Sequence, residues 1–324
     1  MPKNPNLEKF WNEKVSLLAT ISPQPIPDDL KERHQLYALG LMAIVYHYWN
    51  GLKKGRDGQY PWNPDPTTSA GKYLQDDYRG HNIAAYAVDR RGAIIDFEFN
   101  HNRLLNSSAE HAEARLVRRI YGLTQIKDAW DVNSAGSPAA DDYNTFEEVT
   151  LYTSLESCSQ CSGVMALARV RAVIFLQTDP GMYMIGNMLR NLTEKTPLES
   201  PLPIPASSFG FLPFTELDAA FDQFAVDVVN KPFYRAPSGK EDNSPSITSF
   251  LCTTLAYDIY GRAAQALMDF EKGVTALKFP AAKPVDRAGN IVANGLNNGE
   301  VLKEVIVFRD YAMQKGRRGT PHPN

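Results

Sequence analysis

The sequence predicts an α/β layered protein. Two observations carry that prediction. Between residues 82 and 192, short runs rich in Val, Ile and Phe alternate with stretches of 3.6-residue apolar period. The order also reads helix, two strands, helix, strand, helix, strand, helix, which asks for crossover helices on a layered sheet.

The elements follow in order. Residues 6–20 read as a short amphipathic helix with Leu7, Phe10, Trp11, Leu17 and Leu18 turned inward. A proline-rich break at 22–29 precedes a longer helix over 29–49. Segment 51–80 is polar and rich in Gly, Pro and Asp, and reads as a long loop of the kind that often serves function. A hairpin follows, with strands at 82–88 and 93–99 joined by Asp89-Arg90-Arg91-Gly92. In its second strand Ile95, Phe97 and Phe99 alternate with Asp96 and Glu98, so one face is expected to be buried and the other polar.

A helix is predicted over 110–123, where Leu116, Val117, Ile120 and Tyr121 share one face. Residues 126–147 look like a polar insertion. Then come a strand at 148–153, a helix at 158–170, a strand at 172–177 and a helix at 181–192. Segment 193–212 is proline-rich, with a short strand expected near 207–212. Helices are expected near 215–229 and 246–272, and the last fifty residues are weakly patterned. The domain reading is a helical extension at 1–28, a core at 29–230 with insertions at 51–80 and 126–147, and a helical extension at 231–324.

Composition narrows the function classes. Hydrophobic residues make up 43% of the 324, enough to bury a sizeable core. The net charge of −3 is not that of a dedicated nucleic-acid binder, although a local basic face remains compatible with it. Neither a signal peptide nor a membrane-spanning run is read, and three cysteines in so long a chain point to a reducing, cytoplasmic setting.

The chemistry concentrates in His111-Ala112-Glu113 and Cys158-Ser159-Gln160-Cys161. A catalytic zinc takes three protein ligands and keeps one position for water; one His and two Cys supply three. Cysteines three apart in a first helical turn face one side, and the positive helix end favours their thiolates. Glu113 follows His111 by two residues, a turn of about 200° on a continuous helix. Both reach one site only if His111 stands at the very start of the helix. Glu113 is then free to move protons rather than bind metal. Two other readings stay open. A structural zinc site would need a fourth ligand, for which Cys252 is the obvious candidate. A non-catalytic subunit would keep the cysteines and lose the glutamate.

These residues resemble the cytidine deaminase-like superfamily, and within it the bacterial tRNA adenosine deaminases and guanine deaminases. The stretch Leu151 to Ala166 around the two cysteines looks like that family's strand–turn–helix, and Ser162-Gly163 is similar to its purine-type branch. The resemblance implies a three-layer α-β-α core with a central mixed sheet. It implies a zinc hydrolase, with His111, Cys158 and Cys161 as metal ligands and Glu113 as proton shuttle. It further implies that Asn100 touches the substrate, with Asn102 as the fallback and His101 beside them. The implied substrate is a nucleobase that is free, in a nucleotide, or in RNA or single-stranded DNA. A purine-type pocket is favoured over a cytosine one, and a homodimer is implied. The chain departs from the pattern in three places. Ser157 replaces a proline before the first cysteine, Glu110 replaces a small neutral residue before His111, and the gap from His111 to Cys158 is a long 47 residues (158 − 111 = 47).

Among the remaining candidates, Trp49, Tyr60, Trp62 and Tyr73 could stack on a base, but ordinary packing is expected of them. His34 and His47 read as packing or surface residues, and Lys315, Arg317 and Arg318 as a tail.

Overall fold

A computed structural model describes residues 4–49, 60, 80–124, 130–133, 145–230, 234–235, 241–242 and 245–316. Most of the 51–80 loop, most of the 126–147 insertion, Trp62, Tyr73, Arg317 and Arg318 therefore lie outside the described residues.

The sheet has five strands in the order β2-β1-β3-β4-β5. These are β1 (Ala84–Val88), β2 (Ile94–Phe99), β3 (Thr150–Thr153), β4 (Ala172–Phe175) and β5 (Leu202–Pro205). β1 pairs antiparallel with both β2 and β3, while β3, β4 and β5 run parallel, so the sheet is mixed. One face carries α3 (Asp28–His47) and α10 (Asn298–Lys315): Phe97 meets Phe308, and Phe99 meets Tyr48. The other carries α4 (Ala112–Thr124), against which α5 (Ser159–Leu167) packs. Helices on both faces of a sheet make three layers, as expected.

The two faces of β2 differ from the alternation reading. All six residues are buried, Asp96 and Glu98 included. α4 covers their side and answers the carboxylates with Arg119 on Asp96 and Arg115 on Glu98, the latter at 3.3 Å. Alternation reports chemical polarity, and here the polar face is an ion-paired interior.

Four other expectations need correction. The single helix over 6–20 is two short ones, α1 (Pro5–Phe10) and α2 (Val15–Leu18); Leu7, Leu17 and Trp11 are exposed, Trp11 at 77%, while Phe10 and Leu18 are half-buried. The strand placed near 207–212 is β5, at 202–205, although its sequence is Leu-Pro-Ile-Pro. Proline cannot donate to a ladder, so such a strand survives only at an edge, where β5 lies. The 181–192 helix is a 3-10 turn at Pro180–Met182 followed by α6 (Ile185–Thr193), with Tyr183 and Met184 between them at positive φ. The 246–272 helix breaks into α8 (Ile247–Phe250) and α9 (Thr254–Glu271), where the Thr253 side chain caps α9 by accepting from Ala256 N. Between α6 and α8 lies α7 (Leu212–Asn230), matching the helix expected near 215–229.

α10 arises from a segment read as weakly patterned. Asn297 and Glu300 form a capping box, and Val301, Val305, Phe308 and Ala312 form its buried face. Gly40 in α3 allows the contact, because a Cβ there would lie 2.5 Å from Val305 Cγ1. Trp49 and Tyr60 pack as core aromatics against Tyr257, Tyr260 and Phe224. No helix among the described residues is long and apolar enough to cross a membrane.

Candidate metal centre

The site forms where the N-terminal ends of α4 and α5 meet beside the C-terminal end of β3. His111 immediately precedes α4, and its carbonyl accepts from Arg115 N at 3.0 Å, so it stands in the cap position that lets it share a site with Glu113. The cap is held by the preceding loop: Asn100 Oδ1 accepts from Ala112 N at 2.7 Å, and His101 N donates to Glu110 O at 2.9 Å. Cys158 is the cap residue of α5, and Cys161 sits in its first turn.

The three side chains converge. His111 Nδ1 lies 3.3 Å from Cys158 Sγ and 3.7 Å from Cys161 Sγ, and the two sulfurs are 3.6 Å apart. A tetrahedral ion with Zn–S near 2.3 Å and Zn–N near 2.05 Å has ligand-to-ligand edges of about 3.6–3.8 Å. The observed triangle nearly matches those edges, and one nitrogen with two sulfurs is a zinc-type donor set. The residues present fit the metal. Cys252 lies outside this group; its sulfur donates to Thr248 O at 3.4 Å.

The thiols are electrostatically unequal. Contact with Cys161, reinforced by His111, holds the Cys158 thiol down at about 4. Its thiolate and burial push Cys161 up. The hydrogen bond with Cys158 raises the His111 imidazole against the opposing effect of burial.

Glu113 is 3% exposed, and burial raises its carboxyl above the usual range. Ser157 Oγ donates to its Oε1 at 2.9 Å and Thr153 Oγ1, whose nearer acceptor is Leu155 O at 3.0 Å, lies 3.3 Å from the same oxygen, while Cys161 Sγ lies 3.4 Å from Oε2. One carboxylate oxygen is thereby anchored, and the other faces the cysteine cluster.

Residues 67–177 match the cytidine and deoxycytidylate deaminase zinc-binding region. The matched region spans every residue of the cluster. Solved structures similar to the chain include one from a study of A-to-I editing by tRNA:A34 deaminases (22% identity, 38% of this chain and 82% of that one, TM-score 0.29). Two guanine deaminases are also similar. The Nitrosomonas europaea protein gives 22% identity, 41% and 71% coverage and a TM-score of 0.28. The Bacillus subtilis protein gives 26%, 30% and 50%, and 0.24. No curated protein matches the chain.

Of the substrate-side candidates, Asn100 and His101 are buried on the loop leading to His111, and Asn102 Nδ2 pairs with His81 Nε2 at 3.0 Å. Sequence reasoning missed four neighbours of the site. Ser157 and Thr153 hold Glu113. Glu156, pushed up to about 7 by burial, accepts from Asp179 N at 3.1 Å. Asp179 is raised by burial and senses the charges of Cys158 and His111. The Ser157 signal was in the sequence, since it stands in the family's proline position, but its hydroxyl partner comes from another element.

Proposed function

We propose that the chain is a zinc-dependent hydrolytic deaminase of an aminated nucleobase, with His111, Cys158 and Cys161 as metal ligands and Glu113 as proton shuttle. The observation that carries this reading is an anchored, buried carboxylate beside a three-member ligand set. Three ligands leave a fourth position for water, which a closed structural site would not. The presence of Glu113 favours an enzyme over a binding subunit.

Zinc bound there would polarise water and lower its pKa to about 7. Glu113 would take a proton from the attacking water through the carboxylate oxygen that faces the cysteines and pass it to a ring nitrogen of the base, as the water oxygen bonds to the amine-bearing carbon. Glu113 then carries the second proton to the amine, the C–N bond breaks, ammonia leaves and a carbonyl remains. Ser157 and Thr153 keep the carboxylate in one orientation between transfers. A buried carboxyl with a raised proton affinity suits a group that alternates between base and acid.

Asn100, His101 and Asn102 are the substrate-side residues of this reading, supported by their place on the loop that ends at His111. A purine-type base is favoured by the residues after Cys161, with cytosine as the second reading; a homodimer belongs to the same proposal. The test is an ammonia-release screen of zinc-loaded protein over free bases, nucleosides, nucleotides, tRNA and single-stranded DNA. Release from an aminopurine substrate supports the purine reading, and release from cytosine compounds alone replaces it. Silence across all substrates from a protein holding zinc contradicts the enzyme.

A further inference from the structure

A cavity of about 210 Å³ opens at the end of the sheet remote from the cysteines. Cys158 follows the C-terminal end of β3, whereas this cavity is bordered by Glu148 and Thr150 at the start of β3 and by Arg171 at the start of β4. α3 forms one wall, and Pro284 and Val285 form another. The volume is many times the roughly 10–15 Å³ that one water needs.

Three guanidinium groups line it, each from a different part of the chain: Arg33 from α3, Arg90 from the β1–β2 turn and Arg171 from the approach to β4. Arg33 is only 5% exposed. Its Nη2 donates to Leu296 O at 2.6 Å and Ala282 O at 3.0 Å. The guanidinium lies beside the Tyr37 hydroxyl, whose own proton goes to Gly92 O. Among the described residues, the buried Nε meets no acceptor. Arg171 is also under-bonded, with Val285 O at 3.4 Å and Glu148 Oε2 at 3.5 Å.

The carboxylates at the cavity are already engaged. Asp89 accepts from the backbone N–H groups of Arg91, Ala93 and Asp131 at 2.9, 2.9 and 3.1 Å, and pairs with Arg91. Glu148 faces Arg171, and Arg90 Nε lies 3.0 Å from Asp131 Oδ2. Outside the lining, the charges of Arg287 and Asp286 act on Arg171 in opposite senses. His34, hydrogen-bonded to the Tyr152 hydroxyl at 2.7 Å, and the Tyr37 and Tyr152 phenols are the other titratable groups of the lining.

A buried donor without an acceptor costs about 1–3 kcal/mol, more when it is charged. An anion carrying several oxygens is the acceptor best matched to Arg33 and Arg171 together, and guanidinium forks match phosphate geometry. A planar carboxylate is satisfied by one fork; guanidinium groups lining one cavity from three elements suit a tetrahedral anion. The geometry points to a second site here, separate from the metal centre, that binds a small phosphate-class oxyanion and ties α3, the β1–β2 turn and the 280–296 segment together.

The test titrates the full chain by calorimetry with inorganic phosphate and with ribose 5-phosphate, at ionic strength matched with KCl. Saturable binding with a Kd at or below about 1 mM is expected. Arg171→Gln and Arg90→Gln should each weaken it about tenfold without changing zinc content. Tighter binding of ribose 5-phosphate assigns the site to a phosphate ester, and equal or tighter binding of inorganic phosphate assigns it to the free ion; both support the site. Should Arg171→Gln fail to fold, Arg90→Gln decides the matter. No saturable binding, or binding that the folded variants retain, overturns the proposal.

Discussion

Ser157 illustrates how much one side chain settles at this site. A proline there would stiffen the turn before Cys158; the serine instead gives Glu113 a donor at 2.9 Å and orients its carboxylate. The candidate ligands were legible because each pair is local. Two cysteines three apart and a His two residues from a Glu need no knowledge of the fold to be noticed. Ser157 and Thr153 were not legible as partners of Glu113, because the contact joins β3 and the turn after it to α4. His34 yields a prediction at this scale. Burial against Tyr152 and Phe209, with Arg33 and Arg171 nearby, lowers its pKa from 6.5 to about 3. The unfolded chain therefore binds one more proton than the folded chain between those values, and stability falls as pH drops through that window. One proton sets a slope of at most about 1.4 kcal/mol per pH unit. Urea denaturation at pH 7 and pH 5 should show a smaller stability loss in His34→Gln than in the unmodified chain. Equal losses would assign the acid sensitivity elsewhere.

At the scale of elements, β2 and α4 form a joint unit. Asp96 and Glu98 are buried only because α4 carries Arg119 and Arg115 over them, and Arg115 also holds Glu110 at 2.7 Å, directly before His111. The alternation of β2 was visible in the sequence, but the partner that hides its polar face was not, since it arrives with a later helix. Arg115→Ala should destabilise the fold by about 3 kcal/mol, because it strips a partner from a buried carboxylate. Adding Glu98→Gln should recover part of that loss, and zinc retention should weaken with the single change as the start of α4 loosens. Chemical denaturation and zinc titration check both. A neutral Arg115→Ala, or no coupling with Glu98, would remove the network from the account. α10 failed to register for a different reason. Its capping box, Asn297 with Glu300, is readable, yet its apolar positions are spaced among charges and its packing depends on Gly40 of a helix more than 250 residues earlier.

At the scale of the whole molecule, the three layers put α3 and α10 on one face of the sheet and α4 on the other, with the metal-ligand cluster at the ends of α4 and α5. Layer order and mixed sheet were legible from the alternation of elements and from the resemblance. The proline-bearing edge strand was not, because propensity argues against it and only its edge position permits it. The proposed function separates two jobs: His111, Cys158 and Cys161 would hold the metal, and Glu113, anchored from β3 and the following turn, would move the protons. The most direct test is Glu113→Gln, which keeps the size and the hydrogen-bonding oxygen of the side chain. Zinc content and ammonia release are measured on the same preparation, with the substrate found in the screen. The account predicts zinc unchanged at one per chain and ammonia release lowered by about 10²- to 10⁴-fold. Release at the unmodified rate with zinc in place would contradict it.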